Sequence, residues 1–176
     1  MLPRSKAAMP EDPTSLAIVA EPLTSSVAEE LIRALNAELA ARYPEPGATH
    51  FRLDPDEVAP GAGVFVVARL DGRPVGCGAL RCLREPALVR ELGPAVGELK
   101  RMYVVPEMRG RGIGRAVLAR LEEEARTLRL TRLVLETGTR QQEALALYRD
   151  AGFTAMPAYG EYASSPATSV CLEKRL

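Results

Sequence analysis

The residues most suited to chemistry lie in a segment where arginine alternates with glycine. Residues 109–114 read RGRGIG, directly after an apolar run and before a strongly amphipathic segment. The first N–H groups of a helix have no intrahelical partner, and together with the positive end of the helix dipole they attract phosphate. Glycines allow close approach to the backbone, and Arg109, Arg111 and Arg115 add positive charge. The segment favours a phosphate-binding loop; the alternative is a structural turn with solvated arginines.

The glycine spacing excludes two common nucleotide-binding motifs. A P-loop needs four residues between its glycines and then Gly-Lys-Ser or Gly-Lys-Thr, and the dinucleotide motif needs Gly-x-Gly-x-x-Gly. Here Gly114 comes one position too early for the second pattern. A phosphate ligand of this loop would therefore belong to another class.

The composition is typical of one soluble globular domain. The chain has 176 residues, of which 47% are hydrophobic and 26% charged. Lys+Arg and Asp+Glu both number 23, so the net charge of zero argues against a nucleic-acid partner. No apolar run approaches the roughly 20 residues that span a bilayer, so no membrane partner is expected. Residues 1–14 carry charges and prolines without an apolar segment, and we expect a disordered leader there and one domain over 15–176.

The cysteines and the single histidine predict no metal site. Cys77, Cys82 and Cys171 are odd in number and widely spaced among apolar neighbours, and His50 cannot form a histidine cluster alone. A disulfide framework is equally unexpected. This cysteine usage favours a reducing, cytoplasmic compartment.

Hydrophobic periodicity predicts strands that alternate with helices. The predicted strands cover residues 16–21, 63–70, 74–83, 97–105, 131–137 and 169–176, with a further strand near 152–156 left open. The predicted helices cover about 26–42, 112–129 and 141–151. The order β-α-β-β-β-α-β-α-β indicates a single mixed α/β or α+β domain.

Local signals refine these elements. Asp71-Gly72 between two apolar runs predicts a hairpin turn, because both central residues need positive φ. Residues 48–60 and 84–94 are expected to be loops, the first with at most a short helix. Capping boxes are predicted at Ser26 with Glu29 and at Thr139 with Gln142, and Gly152 is the expected stop of the last helix.

Two segments resemble the GNAT superfamily of N-acyltransferases. MYVVPEMRGRGIGRAVLARLEEEA is similar to the family's acyl-CoA-binding motif, an apolar strand followed by Arg/Gln-x-x-Gly-x-Gly/Ala and a helix, and residues 109–114 match at every position. ALALYRDAGF (144–153) is similar to its downstream helix, with a Tyr and then Gly-Phe. The resemblance covers about 16–176. It implies a GNAT-like acyl-CoA N-acyltransferase fold with a mixed sheet and acetyl-CoA as cosubstrate, and it allows a homodimer.

The resemblance also implies how the cofactor is held. In the family, pantetheine enters a gap beside a splayed strand and bonds to its backbone, and the loop amides bind the pyrophosphate. Gln141 stands where the family often has Asn. The cofactor-binding residues implied are Met102, Tyr103, Val104, Arg109, Gly110, Arg111, Gly112, Ile113, Gly114, Arg115 and Gln141.

Two residues match the family's catalytic positions. Glu98 lies thirteen residues before Arg111, the spacing of the catalytic glutamate in histone-acetylating members. Strand alternation predicts Glu98, Met102 and Val104 on one face, with Glu98 as a base acting through water. The alternative is that Glu98 and Lys100 pair with neighbouring loops. Tyr148 would protonate the departing CoA thiolate, or else serve only as a core aromatic.

The acceptor is less defined than the donor. Lys100 could recognise an anionic group, Tyr159 and Tyr162 lie in a loop that borders the acceptor pocket in the family, and Glu136 could pair an amine. The resulting hypothesis is an N-acetyltransferase that moves acetyl from acetyl-CoA to a primary amine, by direct attack in a ternary complex. A small-molecule acceptor is favoured. A protein lysine or N-terminus, and a non-catalytic acyl-CoA-binding module, remain alternatives, and a plain interaction domain is a weaker one.

Overall fold

The computed structural model of the protein describes residues 15–176; the predicted leader, 1–14, lies outside the described residues. The strands are β1 Leu16–Ala20, β2 Gly63–Leu70, β3 Arg73–Cys82, β4 Val96–Val104, β5 Arg132–Gly138, β6 Thr154–Met156 and β7 Ser169–Arg175. The helices are α1 Ser26–Arg42, α2 Pro86–Leu92, α3 Ile113–Thr127 and α4 Gln142–Asp150. Short 3-10 turns cover Pro55–Val58, Pro106–Met108 and Gly160–Ser164.

The seven strands form one mixed sheet in the order β1-β2-β3-β4-β5-β7-β6. All neighbours are antiparallel except β4 and β5, which are parallel. The hairpin between β2 and β3 turns at Asp71-Gly72, where φ is 49° and 78°, as predicted. The further strand near 152–156 is present as β6, and Gly152 has a φ of 92° after α4, as expected of a helix stop.

Each face of the sheet carries its own core. On one face, the apolar stripe of α3, including Val117 and Leu121, packs on the sheet together with α4. On the other face, Leu31 and Leu35 of α1 pack against β2 and β3. A third cluster, around α2 and the Gly160–Ser164 turn, covers the far end of this second face. The central strands are therefore buried between two layers, whereas the edge strands β1 and β6 are largely exposed.

Three local predictions were wrong. Residues 84–94 contain α2, a helix too short for periodicity to reveal, with Pro86 at its first position. The N-cap of α1 is Ser25, whose hydroxyl accepts the N–H of Ala28 at 3.1 Å, one residue before the predicted cap. The cap of α4 is Gln141 without a side-chain bond, so the Thr139 capping box does not form.

The feature that creates a site is the separation of β4 from β5. The parallel ladder pairs Val96–Leu99 with Arg132–Leu135 and then stops, although both strands continue. In β4 the pairing with β3 shifts register around Arg101, whose φ of 55° lies in the left-handed region. A bulge of this kind bends a strand and re-aims its side chains. The C-terminal halves of β4 and β5 therefore diverge and leave a gap in the sheet.

Candidate active site

A large cleft follows this gap to the N-terminus of α3; we call it the loop cleft. Its volume is about 500 Å³. All the predicted cofactor residues except Arg111 line it: Met102, Tyr103, Val104, Arg109, Gly110, Gly112, Ile113, Gly114, Arg115 and Gln141. Arg111 lies in the same loop with an exposed side chain that forms no ion pair among residues 15–176.

The loop itself has the geometry of an anion site. Gly110 and Gly112 have φ of 77° and 79°, a conformation that L side chains rarely adopt. The first backbone bond of α3 runs from Ala116 N–H to the Gly112 carbonyl. The N–H groups of Ile113 and Gly114 therefore have no helical partner and lie at the positive end of a 15-residue helix.

The backbone of β4 offers further hydrogen-bonding groups to the loop cleft. Val105 N–H donates to the Val75 carbonyl of β3 at 2.9 Å, so it is already bonded. N–H and C=O groups alternate sides along a strand, and those of Val104 therefore point away from β3, into the gap. The Val104 carbonyl accepts a bond from Arg109 Nε at 2.9 Å.

Arg109 is already held by protein partners. Besides Val104, its guanidinium bonds to Glu38 of α1 at 2.6 Å and lies 5.7 Å from the centre of the Tyr103 ring. Much of its charge is therefore neutralised, and it joins α1 to β4 at the rim of the loop cleft. Arg111 and Arg115 are the more available cations of the loop, since Arg115 is 3.9 Å from its nearest carboxylate, on Asp150.

A second, smaller cavity lies deeper between β4, β5 and the loop after α1; we call it the inner cavity. Its volume is about 90 Å³. Lys100, Glu136 and Tyr162, three of the four predicted substrate residues, line it together with His50 and Arg101.

The two cavities meet at a shared set of residues. Leu35, Met102, Gln141, Ala144 and Tyr148 line both of them. The Tyr148 ring is fixed edge-on against Phe153, with centroids 5.7 Å apart. Its hydroxyl has no hydrogen-bond partner within the described part of the chain, and burial raises its pKa. A protonated phenol is therefore available where the two cavities join.

Glu136 is the carboxylate of the inner cavity. It lies on β5 just beyond the last residue paired with β4, and it forms no ion pair with any residue from 15 to 176. Burial is the main cause that raises the pKa of Glu136. A carboxylate of raised pKa in a cavity is suited to accept a proton near neutral pH.

Comparison with known proteins identifies the family. The model of the acetyltransferase (GNAT) family matches residues 28–153. The chain belongs to this family. A relative from Azospirillum brasilense named IAA acetyltransferase is 41% identical over 155 residues, which cover 88% of this chain and 94% of the relative.

Solved structures agree with the GNAT assignment. A Klebsiella pneumoniae protein assigned as an acyl-CoA N-acyltransferase superposes with a TM-score of 0.74 at 33% identity, over 92% of this chain and 97% of that one. The PaiA N-acetyltransferase of Thermoplasma acidophilum, solved with coenzyme A, superposes with a TM-score of 0.67 over 92% of this chain and 99% of that one. Its sequence identity is 15%, so it supports the fold alone. The predicted family and mixed α/β fold are confirmed.

In this GNAT chain Glu98 does not lie where alternation predicts it. Leu99 shares the α3 side of the sheet with Met102 and Val104, whereas Glu98 bonds to tyrosines on the opposite side. The predicted common face is wrong because the bulge at Arg101 inserts one residue and inverts the alternation. Glu98 is fully buried and lines neither cavity.

Both oxygens of the Glu98 carboxylate are occupied. Arg81 binds Oε2 through two nitrogens at 2.7 Å each, and the hydroxyls of Tyr159 and Tyr162 donate to Oε1 at 3.1 and 2.6 Å. Tyr162 lines the inner cavity, but Tyr159, the remaining predicted substrate residue, lies behind it and lines neither cavity. Glu98 therefore anchors a wall of the cavity, which agrees with the pairing alternative rather than with a base.

Arg101 and His50 are two residues of the inner cavity that sequence reasoning missed. No sequence pattern marks Arg101, because arginine rarely adopts positive φ and the bulge depends on neighbouring strands. His50 lies in the segment expected to be a loop, and no local pattern placed it in a cavity. Its ring stands edge-on to Tyr162 at 5.0 Å and its Nε2 lies 3.3 Å from Ser165 Oγ, contacts between segments remote in sequence.

A glutamine at position 98 tests the anchoring role. We expect Glu98→Gln to lower the free energy of unfolding by on the order of 3 kcal/mol, because it leaves the partly buried Arg81 guanidinium without its one fully buried charge partner. Glu85→Gln is the matched control: Glu85 contacts the same guanidinium at 2.7 Å with a side chain 48% exposed, and we expect a change below about 1 kcal/mol. Urea titration measures both. Loss of a catalytic base typically lowers kcat by about 100- to 10,000-fold. A fall in kcat of that size in folded Glu98→Gln would therefore contradict the anchoring role of Glu98.

Proposed function

We propose that the protein is an N-acetyltransferase that moves the acetyl group of acetyl-CoA to a primary amine by direct attack in a ternary complex. One observation carries this proposal: the loop cleft and the inner cavity meet at Tyr148. A donor in the first and an acceptor in the second would bring thioester and amine together at that junction. Proximity of this kind removes much of the entropic cost of a two-substrate reaction.

In our proposal the loop cleft holds the CoA part of the donor. The free N–H groups at the start of α3, with Arg111 and Arg115, bind the pyrophosphate. The Val104 N–H points into the gap and donates a hydrogen bond to pantetheine or to the thioester carbonyl oxygen, on which negative charge develops during the attack. The side-chain amide of Gln141, which lines both cavities, is an additional pantetheine contact.

The chemistry then needs two proton transfers. The acceptor ammonium loses one proton to Glu136, and the neutral nitrogen attacks the thioester carbonyl carbon. The tetrahedral intermediate collapses as the C–S bond breaks, and Tyr148 gives its proton to the departing thiolate. After the attack, the nitrogen of the new C–N bond carries one proton more than an amide nitrogen. This proton passes to the Tyr148 phenolate and restores the phenol. The products are an N-acetylated acceptor, free CoA thiol and one proton released to solvent through Glu136.

The acceptor is proposed to be a small molecule. The inner cavity has little volume, which supports a compact acceptor over a protein chain. A protein lysine or N-terminus and a non-catalytic acyl-CoA-binding role are the alternatives. Release of CoA thiol in the presence of a panel of acceptors separates a catalyst from a binding module.

Charge reversal in the loop tests donor binding. We expect Arg111→Glu to weaken acetyl-CoA binding by about 10- to 100-fold, because a carboxylate would repel the pyrophosphate and an attractive contact is lost. Arg129→Glu, at the opposite end of α3, makes the same charge change about 25 Å away along the helix and should bind normally. Isothermal titration calorimetry measures both. Wild-type affinity in Arg111→Glu would remove Arg111 from the donor site.

Removal of one hydroxyl tests the general acid. We expect Tyr148→Phe to lower kcat by about 100-fold and to leave acetyl-CoA affinity nearly unchanged, since only the leaving thiolate needs the phenolic proton. Tyr159→Phe is the matched control, because it removes a buried hydroxyl that lines neither cavity. Steady-state thiol release measures kcat. An unchanged kcat in Tyr148→Phe would exclude Tyr148 from the mechanism.

The pH profile tests the base. Glu136 must be ionised to accept a proton, and burial raises its pKa, so kcat/KM should fall as the pH drops through a value above the usual 4.3 or so of a glutamate. We expect Glu136→Gln to lower kcat by about 100-fold and to abolish this acidic limb. Glu45→Gln, which changes an exposed carboxylate paired with Arg140, should keep the limb. Persistence of the same limb in Glu136→Gln would assign it to another group.

A further inference from the structure

Two adjacent buried cations of β4 line the inner cavity. Lys100 is 9% exposed and Arg101 is 8% exposed. Neighbouring residues of a regular strand point to opposite faces, but the positive φ of Arg101 interrupts the alternation, so both side chains reach the same cavity. Positive charge is thus concentrated on one wall.

Within residues 15–176, the hydrogen bonds of both cations go to neutral oxygens. Lys100 Nζ donates to the Arg52 carbonyl at 2.7 Å. Arg101 donates to Asn36 Oδ1 at 2.7 Å and to the His50 carbonyl. Neither forms an ion pair with a carboxylate of residues 15–176, unlike the partly buried Arg81 nearby, which contacts three.

Such burial is costly without a counter-charge. Desolvation lowers the pKa of both Lys100 and Arg101, which means that the folded protein disfavours their charged forms. The negative charge of Glu98 offsets only part of this cost for Lys100, since the pKa of Lys100 stays lowered and the Glu98 carboxylate is bonded to Arg81 and two tyrosines. An anion that enters the inner cavity would bind two charged hydrogen-bond donors. Because folding has already removed water from these donors, binding does not have to remove it again.

The opposite wall of the cavity carries the complementary charge. Glu136 lies on β5 and is also without an ion pair in the described range. Beyond Leu99 and Leu135 the two strands separate, so Lys100 and Arg101 stand on one side of the gap and Glu136 on the other. One wall is therefore suited to a carboxylate and the other to an amine.

We propose that the acceptor is a small amino acid or amino-acid-like molecule, whose carboxylate binds Lys100 and Arg101 while its amine lies at Glu136. This inference rests on the proposed acetyl transfer and names the substrate class of that site. The acceptor loses its positive charge on acetylation and keeps its carboxylate. Simple amines and polyamines lack the group that the two cations bind.

Matched pairs of acceptors test the proposal on the intact protein. Each amino acid in a panel is compared with the amine that remains when its carboxylate is replaced by hydrogen, and CoA thiol release gives kcat/KM. We expect amino acids to be preferred about 10- to 100-fold, as for one or two charge-assisted hydrogen bonds. Equal rates within the pairs, or a preference for the amines, would overturn the inference and leave the proposed acetyl transfer intact.

Variants assign the preference to the cations. Lys100→Met should reduce the ratio of the two kcat/KM values about tenfold, whereas Lys100→Arg should retain most of it. Lys174→Met is the control, because Lys174 lies on β7 and pairs with Glu122 away from both cavities, and its ratio should match the wild type. An unchanged ratio in folded Lys100→Met would remove Lys100 from acceptor recognition.

Two further results distinguish other failures. A short peptide with an acidic second residue that is acetylated faster than every free amino acid would overturn the small-molecule assignment in favour of a protein N-terminus. Absence of thiol release with every acceptor, while calorimetry still detects acetyl-CoA binding, would overturn the proposed catalytic function together with this inference.

Discussion

The early end of the β4–β5 ladder is the constraint on which the site depends. A parallel pair that continued to the ends of both strands would use the backbone N–H and C=O groups of β4 in the sheet. Because pairing stops at Leu99 and Leu135, the groups of β4 that face away from β3 beyond Leu99 have no partner strand within the part of the chain that the structure describes, and the sheet opens. The bulge at Arg101 contributes to this opening and places Lys100 and Arg101 on the same cavity wall. One irregularity thus shapes both the loop cleft and the inner cavity.

The two cavities are supported by different forces. The loop cleft lies over an apolar core in which Val117, Leu118 and Leu121 of α3 are buried against the sheet, and burial of this kind fixes the helix whose N-terminus faces the cleft. The inner cavity is held by polar contacts. Arg81 joins Glu98 to Glu57 and Glu85, which precede β2 and α2. These contacts tie loops to the sheet. The desolvation of their buried polar groups is largely offset, because nearly every such group has a hydrogen-bond or ion-pair partner.

The residue that ends α1, Tyr43, reaches the inner cavity by a close approach to β5. The Tyr43 hydroxyl accepts the Arg140 N–H at 2.7 Å, and a Cβ at Gly138 would stand 1.9 Å from that hydroxyl. Gly138 at the end of β5 is therefore what lets Tyr43 approach the strand so closely. Tyr43, Tyr162 and His50 come from separate parts of the chain and all line the inner cavity.

The sequence by itself determined most of the helices and strands and the glycine loop before α3. Strand and helix periods, the Asp71-Gly72 turn and the glycines of 109–114 are local patterns, and local patterns act through backbone conformation and nearest neighbours. It did not determine the face of Glu98, the helix within 84–94 or the role of Arg101. Those depend on a bulge and on contacts between residues far apart in sequence, such as Glu98 with Tyr162, which are 64 residues apart. Only the tertiary structure decides these features. The bulge inverts the alternation of side chains along β4, and burial determines which charged groups need a partner.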